Sequence, residues 1–341
     1  MPVLIKGAGV AGLTVAHELA VAGFEVEVTD TASGVGTGAS GFAGGMLAPW
    51  CERESAPDLV LTLGCRAADW WEAALPGCVS RNGTMVVAPA RDGAELRRFA
   101  SRTSGFEWLD EDGIAALEPA LAGRFRQALF FRGEAHLNPR AALTGLHRKL
   151  VGMGVSFCLG TKPGEEPAGF DQIVDCTGRN RIGQAKDLRG VRGEMLYLQT
   201  PDISLSRPVR MLHPRIPLYI VPRGNGLVMV GATMIESDDE GPITARSLME
   251  LLNAAYTLHP AFGEAQLIET GTGVRPAFPD NLPTVFESNG RIFVNGFYRH
   301  GFLLAPAMAQ QVAERIQASG TEAVSRTMQG TKMTAREGAS L

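Results

Sequence analysis

The stretch near the start of the chain, residues 3–30, constrains the fold most strongly. It reads VLIKGAGVAGLTVAHELAVAGFEVEVTD: a short apolar run, three glycines spaced as GxGxxG, a helix-like segment and an alternating run that ends at Asp30. This order of strand, glycine turn, helix, strand and acid is typical of a dinucleotide-binding unit, in which the acid accepts hydrogen bonds from a ribose hydroxyl. The stretch therefore predicts a Rossmann-like α/β domain.

Each position of the glycine turn has an expected role. Gly7 permits the tight turn, Gly9 lets the backbone approach a pyrophosphate, and Gly12 allows close packing of the helix. Val10 and Ala11 lie within the glycine turn, just before the helix-like segment, whose N-terminal partial positive charge favours phosphate groups. These residues are the predicted cofactor contacts of the turn.

The turn alone does not separate NAD from FAD, but its position favours FAD. In many FAD enzymes the turn opens the chain and later segments complete the domain. Residues 170–180, FDQIVDCTGRN, read as a buried strand that contains Val174 and ends at Thr177 and Gly178. We expect this strand to pass near the adenine end of the cofactor; a plain strand that ends at a glycine turn is the alternative.

Glycine is the outlier of the composition, with 41 residues in a chain of 341. Residues 33–49, SGVGTGASGFAGGMLAP, are too rich in glycine for regular structure. We expect a loop that leads into a short helix or turn and brings Gly45 and Met46 beside the cofactor.

The remaining bulk properties exclude several function classes. Hydrophobic residues make up 45% and charged residues 20%, as in a soluble globular protein. The net charge of −4 predicts no nucleic-acid partner, and no apolar run is long enough for a membrane helix. The 5 cysteines lack CxxC spacing, so neither a disulfide framework nor a metal site is expected. MPVLI leads directly into the glycine motif without room for a signal peptide, which predicts a cytoplasmic protein.

The order of helix-like and strand-like segments predicts two interleaved domains. The fold class is α/β (α+β), with a Rossmann-like FAD-binding domain interleaved with an antiparallel-sheet substrate domain. The predicted division is 1–78 with 138–190 and 268–320 for the FAD-binding domain, 79–137 with 191–267 for the substrate domain, and 321–341 for a loosely held tail.

Six segments together carry a family resemblance across nearly the whole chain. They are GAGVAG at 7–12, AGGMLAP at 43–49, VRGEML at 191–196, YIVPR with VGAT at 219–223 and 230–233, TGVRPAFPDNLP at 272–283, and NGFYRHGFLLAP at 295–306. In combination they resemble the D-amino-acid-oxidase-like flavoproteins, and most closely the glycine oxidases of thiamine (thiazole) biosynthesis. GAGVAG is common to many families, whereas the last two segments are much more discriminating.

The resemblance implies a specific activity. It implies oxidative deamination of glycine by O2 to iminoglycine, then glyoxylate and ammonia, with H2O2 as co-product and hydride transfer from the substrate Cα to flavin N5. It also implies a homo-oligomer, often a tetramer, and hand-over of the imine to thiazole synthase. Sarcosine-oxidase relatives attach their flavin through a late cysteine, and no cysteine follows Cys176 here, so non-covalent FAD is expected.

The resemblance also assigns substrate-binding residues. The arginine that matches Arg299 binds the substrate carboxylate in the family, and Tyr219 matches a tyrosine whose hydroxyl reaches the same carboxylate. Arg275 matches an arginine that lines the active-site entrance. The alternative roles are a surface salt bridge for Arg299, a sheet tyrosine for Tyr219 and a bracing ion pair for Arg275. Better-known glycine oxidases carry a histidine where this chain has Pro217, which leaves side-chain selectivity open.

The junction of the last strand and helix is expected to face the flavin. Gly301 lets the backbone approach the ring, and the helix that begins near Phe302 and Leu303 directs its N-terminal partial charge at the flavin N1/O2 edge. His300 is expected in the pocket wall rather than in catalysis.

Alternatives to glycine oxidation remain at this point. Within the class, the substrate is sarcosine, a D-amino acid or a larger N-substituted glycine, or the electrons pass to a membrane quinone. Outside the class, the chain is a non-catalytic flavin-binding regulator or, from the glycine turn alone, an NAD-dependent dehydrogenase.

Overall fold

The computed structural model describes residues 1–212 and 218–337, with side chains described as far as residue 319. The strands in chain order are β1 (Pro2–Lys6), β2 (Glu25–Asp30), β3 (Met46–Leu47), β4 (Val79–Ser80), β5 (Thr84–Val87), β6 (Glu107–Leu109), β7 (Ala128–Phe131), β8 (Ala135–Leu137), β9 (Ser156–Leu159), β10 (Gln172–Asp175), β11 (Arg189–Gln199), β12 (Val209–Met211), β13 (Leu218–Gly224), β14 (Leu227–Gly231), β15 (Ile235–Glu236), β16 (Gln266–Ala277), β17 (Thr284–Ser288) and β18 (Arg291–Asn295). The α-helices are α1 (Val10–Val21), α2 (Pro49–Arg53), α3 (Asp58–Gly64), α4 (Ala67–Ala74), α5 (Gly93–Ala100), α6 (Glu111–Leu117), α7 (Pro139–Gly152), α8 (Ala245–Leu258) and α9 (Gly301–Glu337).

The first sheet is the nucleotide-binding sheet. Its 6 strands follow the order β17-β18-β10-β1-β2-β9, and only the pairing of β17 with β18 is antiparallel among the pairs given. The central residues of β1, Val3 to Ile5, are fully buried, as expected for a strand that is covered on both faces. The chain leaves β1 through α1 to β2 on one side, whereas β10 lies on the other side. Such a switch in direction opens a crevice at the carboxyl ends of the strands, where ligands bind.

The second sheet is largely antiparallel and holds the substrate end of the site. Its 9 strands follow the order β15-β11-β14-β13-β12-β5-β7-β6, with β16 paired to β11. Asn225 and Gly226 join β13 to β14, and both have positive φ, of 52° and 74°. A two-residue hairpin needs such angles, and Asn and Gly adopt them most readily.

The interleaved α/β fold class is confirmed, with one correction to the predicted division. Residues 268–277 are assigned to the FAD-binding segment by the sequence pattern, but they lie in β16, which pairs with β11 over its whole length. The pairing with β11 satisfies the backbone groups of this long extended segment and places it in the second sheet. The other boundaries of the division stay a prediction.

The start of α7 has a clear cause in the local sequence. Asn138 caps α7, since its side chain accepts hydrogen bonds from the backbone N–H groups of Arg140 and Ala141, and Pro139 takes the first helical position. The backbone of α9 continues as far as Glu337, and the loosely held tail at 321–341 stays a prediction. In the described part of the chain, no helix is both long and apolar enough to cross a membrane.

Candidate active site

The glycine turn after β1 is built so that backbone atoms approach each other closely. Gly7 has a φ of 106°, and a Cβ atom there would lie 2.5 Å from the carbonyl oxygen of Cys176. A Cβ atom at Gly12 would lie 1.8 Å from the carbonyl oxygen of Gly7, which confirms that this glycine lets α1 pack against the turn. Gly9 has no side chain to cap α1, so the N–H groups of the first turn, apart from that of Val10, which donates to Ser40, are available to a ligand.

Asp30 fixes the shape of this turn. Its Oδ2 atom accepts a hydrogen bond of 2.6 Å from the N–H of Ala8, and its Oδ1 atom accepts one of 2.9 Å from the N–H of Ala32. Each carboxylate oxygen can accept more than one hydrogen bond, so Asp30 can brace the loop and also bind a ribose hydroxyl. Thr161 reinforces this position, because its N–H and hydroxyl both donate to the Asp30 carbonyl oxygen.

A single elongated cavity runs from this turn to the second sheet. Asp30, Thr161 and Lys162 line one end, and Tyr219, Arg275 and Arg299 line the other. Most of the predicted cofactor contacts lie along it: Gly7, Gly9, Val10, Ala11, Asp30, Gly45, Met46, Thr177, Gly178, His300, Gly301, Phe302 and Leu303.

Two predicted cofactor residues do not line this cavity. Gly12 acts through packing, and Val174 is fully buried inside β10, where it is paired with Ile5. The sequence pattern places Val174 in the correct strand but not at its exposed end. The loop after β9, with Thr161 and Lys162, instead closes this end of the cavity, and nothing in its sequence marks it as a ligand loop.

The starts of α1 and α9 meet at the middle of the cavity. A Cβ atom at Gly301 would lie 3.3 Å from Cγ1 of Val10, so the two helix N-termini are in close contact. The first intrahelical bond of α9 runs from the N–H of Leu304 to the carbonyl oxygen of His300 at 2.8 Å. Gly301, Phe302 and Leu303, which precede Leu304, line the cavity, and the partial positive charges of both helix ends favour negative charge there.

Tyr219 projects from β13 into the substrate end of the cavity, and glycines make room for its ring. A Cβ atom at Gly44 would lie 2.7 Å from the ring, and one at Gly231 would lie 3.1 Å from it. Burial raises the pKa of the Tyr219 phenol, although the nearby Arg275 guanidinium opposes this shift. The hydroxyl therefore stays protonated at neutral pH and can donate a hydrogen bond.

Arg275 extends from β16 toward Tyr219 and carries an uncompensated charge. Its Nη1 atom donates a hydrogen bond of 3.1 Å to the carbonyl oxygen of Thr233. A Cβ atom at Gly193 would lie 2.1 Å from its Nη2 atom, so the glycine of VRGEML is needed to hold the guanidinium here. Within residues 1–212 and 218–319, no carboxylate forms an ion pair with Arg275, which argues for an anionic ligand.

Arg299, by contrast, is already paired inside the protein. Its Nη2 atom lies 2.7 Å from Oε2 of Glu52 and 2.8 Å from Oγ of Ser55. Burial alone would raise the pKa of Glu52, but Arg299 and then His300 hold this pKa far below its usual range. The structure thus brings Arg299 to the predicted end of the cavity but gives its guanidinium an internal carboxylate partner.

Sequence reasoning missed three residues that shape this site. The three residues are Glu52, Ser40 and Gly193, which lie within or next to the segments that carry the family resemblance. Their residue types alone do not mark them as functional. Ser40 accepts a hydrogen bond of 3.1 Å from the N–H of Val10, which fixes the glycine-rich loop on the start of α1. A serine and an acid near a glycine-rich loop are too common to have been singled out.

The bracing role of Asp30 leads to a prediction. We expect Asp30→Ala to lower the affinity for FAD by about tenfold or more, because the ribose and the Ala8 N–H each lose a hydrogen bond to a charged acceptor. The FAD content after dialysis, read from the visible absorbance, measures the effect. Asp171→Ala is the matched control, since this exposed aspartate lies before β10 and outside the cavity. Equal FAD retention in both variants would exclude the ribose contact.

The fold and the cavity together define a flavin-dependent oxidoreductase. A glycine turn on a parallel sheet, an elongated cavity and a cationic substrate end fit FAD with an anionic substrate beyond it. The chain belongs to the FAD-dependent oxidoreductase (DAO) family, whose model matches residues 2–315. It is an FAD-dependent enzyme.

Individual relatives give a more specific comparison than the family model. A Rhizobium etli protein named as the thiamine biosynthesis oxidoreductase ThiO is 66% identical over 316 residues, or 93% of this chain and 96% of that protein. A glycine oxidase of Bacillus licheniformis is 27% identical, with 92% of both chains covered. The crystal structure of glycine oxidase from Geobacillus kaustophilus shares the fold with a TM-score of 0.77 at 24% identity, and covers 92% of this chain and 94% of that one. The predicted resemblance to glycine oxidases is confirmed.

Proposed function

We propose that this FAD-dependent amino acid oxidase converts glycine and O2 to iminoglycine and H2O2, and that the imine serves thiazole synthesis or hydrolyses to glyoxylate and ammonia. The similarity to a protein named for thiamine biosynthesis, at 66% identity, supports the pathway. The glycine oxidases among the relatives support the substrate.

The observation that carries the proposal is the half-buried guanidinium of Arg275 beside Tyr219, which has no carboxylate partner among the residues that the structure describes. A planar fork of N–H donors matches the two oxygens of a carboxylate. The protonated Tyr219 hydroxyl can donate a further hydrogen bond to the same group. One amino acid carboxylate thus supplies the counter-ion that Arg275 lacks among the described residues.

The side chains bind and orient the substrate, and the enzyme needs no acid–base pair for this task. FAD, when bound, supplies the hydride acceptor and passes the electrons on to O2. Arg275 and Tyr219 fix the carboxylate, which directs the substrate Cα along the cavity toward the helix ends at Val10 and Gly301. The positive ends of both helices stabilise negative charge at that place.

We therefore propose that Arg275 binds the substrate carboxylate, a role that the family resemblance gives to Arg299. The resemblance assigns the carboxylate to Arg299 and the entrance to Arg275. The ion pair of Arg299 with Glu52 leaves Arg275 as the better anchor, and Arg299 as part of the pocket wall together with His300. Arg299 as the carboxylate anchor stays the competing prediction.

Other parts of the proposal rest on the sequence and the family resemblance alone. A homotetramer, non-covalent attachment of FAD, a cytoplasmic location and hand-over of the imine to thiazole synthase stay predictions. Pro217, which bears on side-chain selectivity, lies outside the described residues.

The test of the proposed function is peroxide release by the purified flavoprotein with glycine, sarcosine, D-alanine and D-proline. We expect the highest kcat/KM with glycine, because this substrate places nothing but hydrogen against the pocket wall. A protein with a full flavin spectrum that oxidises none of the four would contradict the proposal. A preference for one of the larger amines would keep the oxidase class and replace the substrate.

A further inference from the structure

The two arginines at the substrate end of the cavity differ in their ion pairing. Arg275, Arg299 and Glu52 all line it. Glu52 and Arg299 form a 2.7 Å ion pair, and their side chains are only 18% and 19% exposed. Arg275 has no carboxylate partner among the residues that the structure describes. Arg210 also lines the cavity and lies 3.9 Å from both Glu52 and Glu54. Glu54 can balance Arg210 and Glu52 balances Arg299, which leaves the charge of Arg275 for one substrate carboxylate.

Glu52 is held in this position from several sides. It lies in α2, its Oε2 atom is 2.9 Å from Nε2 of His300, and its Oε1 atom is 3.9 Å from Nη1 of Arg210. The guanidinium of Arg210 is in turn stacked on Phe99, 5.1 Å from the ring centroid. The cationic neighbours keep Glu52 ionised, so its negative charge is a permanent part of the pocket.

We propose that Glu52 is a specificity-determining residue, which restricts the enzyme to amines with a single carboxylate by neutralising Arg299. This inference rests on the proposed amine oxidase function. Arg275 and Arg299 line the same end of the cavity: Arg275 donates a hydrogen bond to the carbonyl oxygen of Thr233, and Nη1 of Arg299 lies 3.8 Å from Sδ of the adjacent Met234. A second carboxylate carried on the substrate nitrogen, as in iminodiacetate, would therefore meet Arg299 next. Because Glu52 already occupies that guanidinium, the second carboxylate gains no partner and is repelled by the Glu52 charge.

The charge can be removed with little change of shape in Glu52→Gln. The amide oxygen still accepts a hydrogen bond from Arg299, but the charge of the guanidinium is no longer balanced by a carboxylate. The probes are methoxyacetate and diglycolate, ether analogues of sarcosine and iminodiacetate that differ by one carboxylate and contain no amine to oxidise. Their Kd values are read from the flavin absorbance of the holoenzyme. We expect the Kd ratio to shift toward diglycolate by about tenfold or more in the variant, the size of one charge-assisted hydrogen bond.

A double-mutant cycle separates this role from a merely structural one. The double variant Glu52→Gln/Arg299→Gln should not show the shift in the Kd ratio, because tighter binding of diglycolate requires the guanidinium of Arg299. Arg299→Gln alone should shift the ratio against diglycolate, since Glu52 is then unbalanced; this variant tests the proposal even if Glu52→Gln does not fold. An unchanged ratio in Glu52→Gln, or a shift that persists in the double variant, would overturn the proposal.

The outcome is independent of the proposed substrate. If the wild-type protein released no peroxide with glycine, the proposed function would fail, but the Kd ratios would still report on Glu52. If glycine is oxidised, the kcat/KM ratio of iminodiacetate to glycine should rise in Glu52→Gln and return in the double variant. An equal decrease of kcat/KM for both substrates in Glu52→Gln would contradict the specificity role of Glu52 but not the proposed oxidation of glycine.

Discussion

Arg275→Ala is expected to lower kcat/KM for glycine by about a hundredfold or more, while FAD stays bound. The side chain is proposed to give two hydrogen bonds to the substrate carboxylate, and each is worth about 1.5 kcal/mol or more when charged groups are involved. Two such bonds correspond to roughly 3 kcal/mol, or about a hundredfold. Arg275→Lys keeps the charge but loses the planar fork, so we expect an intermediate loss. Initial rates of peroxide release at varied glycine concentration measure both variants.

Two further variants decide whether Arg275 or Arg299 holds the carboxylate. Arg299→Gln should have the smaller effect, because its charge is already balanced by Glu52. Gly193→Ala should reproduce much of the loss in Arg275→Ala without touching the arginine, since the new methyl group would occupy the place of the guanidinium. The reverse order, with Arg299→Gln more damaging than Arg275→Ala, would restore the assignment that the family resemblance implies. The flavin spectrum of each variant controls for loss of the cofactor.

The sequence predicts those parts of the fold that are formed by residues close to one another in the chain. The glycine turn, α1 and β2 lie within 30 residues, and each choice of glycine, apolar residue or acid has a local reason. Asn138 and Pro139 at the start of α7 are equally local. Such features are readable because a turn or a cap depends on few residues, all close in sequence.

The site escapes prediction where its contacts join distant segments. Glu52 and His300 are 248 residues apart, and no pattern in either segment indicates that they meet. The family resemblance places Arg299 at the cavity but cannot show that a carboxylate from α2 neutralises it. Likewise, the extended character of 268–277 is visible in the sequence, whereas its pairing with β11 depends on which sheet edge is open. Charge balance and strand pairing are properties of the assembled core.

A buried carboxyl group behind α2 leads to a second large effect, on stability. Glu134 is 1% exposed, and its Oε1 atom accepts a hydrogen bond of 2.7 Å from the N–H of Cys51. Its Oε2 atom has no hydrogen-bond partner within the described part of the chain. Burial raises the pKa of Glu134 from 4.5 to about 7, and the nearby charge of Glu52 acts in the same direction. The folded protein therefore favours the protonated form.

The sign of the pH dependence follows from this shift. Because the pKa is higher in the folded state than in the unfolded state, the folded state retains the proton as pH rises above 4.5. Its stabilising effect is fully present below that value and is lost as pH rises through about 7. At about 1.4 kcal/mol per pKa unit, the loss is on the order of 3 kcal/mol.

We expect Glu134→Gln to be more stable than the wild type at pH 8, by up to this amount, and equally stable near pH 4.5. Glutamine resembles the protonated carboxyl group: its oxygen can accept from Cys51, and its amide N–H group can donate to the nearby Thr84 hydroxyl. Urea unfolding of the holoenzyme between pH 5 and pH 8 measures the difference at ~0.5 unit steps. A constant difference across this range would show that Glu134 does not titrate there.

Glu118 provides the matched control for this experiment. It is also 1% exposed, but its Oε1 atom lies 2.7 Å from Nε of Arg207 and accepts a further hydrogen bond from the Ser206 hydroxyl. Glu118→Gln removes the charge from a satisfied ion pair and leaves Arg207 uncompensated, so it should destabilise the protein at pH 8. The two substitutions are chemically identical and the two sites equally buried. Opposite effects on the free energy of unfolding would therefore assign the stabilisation in Glu134→Gln to the missing partner of its carboxyl group, whereas effects of the same sign would exclude that cause.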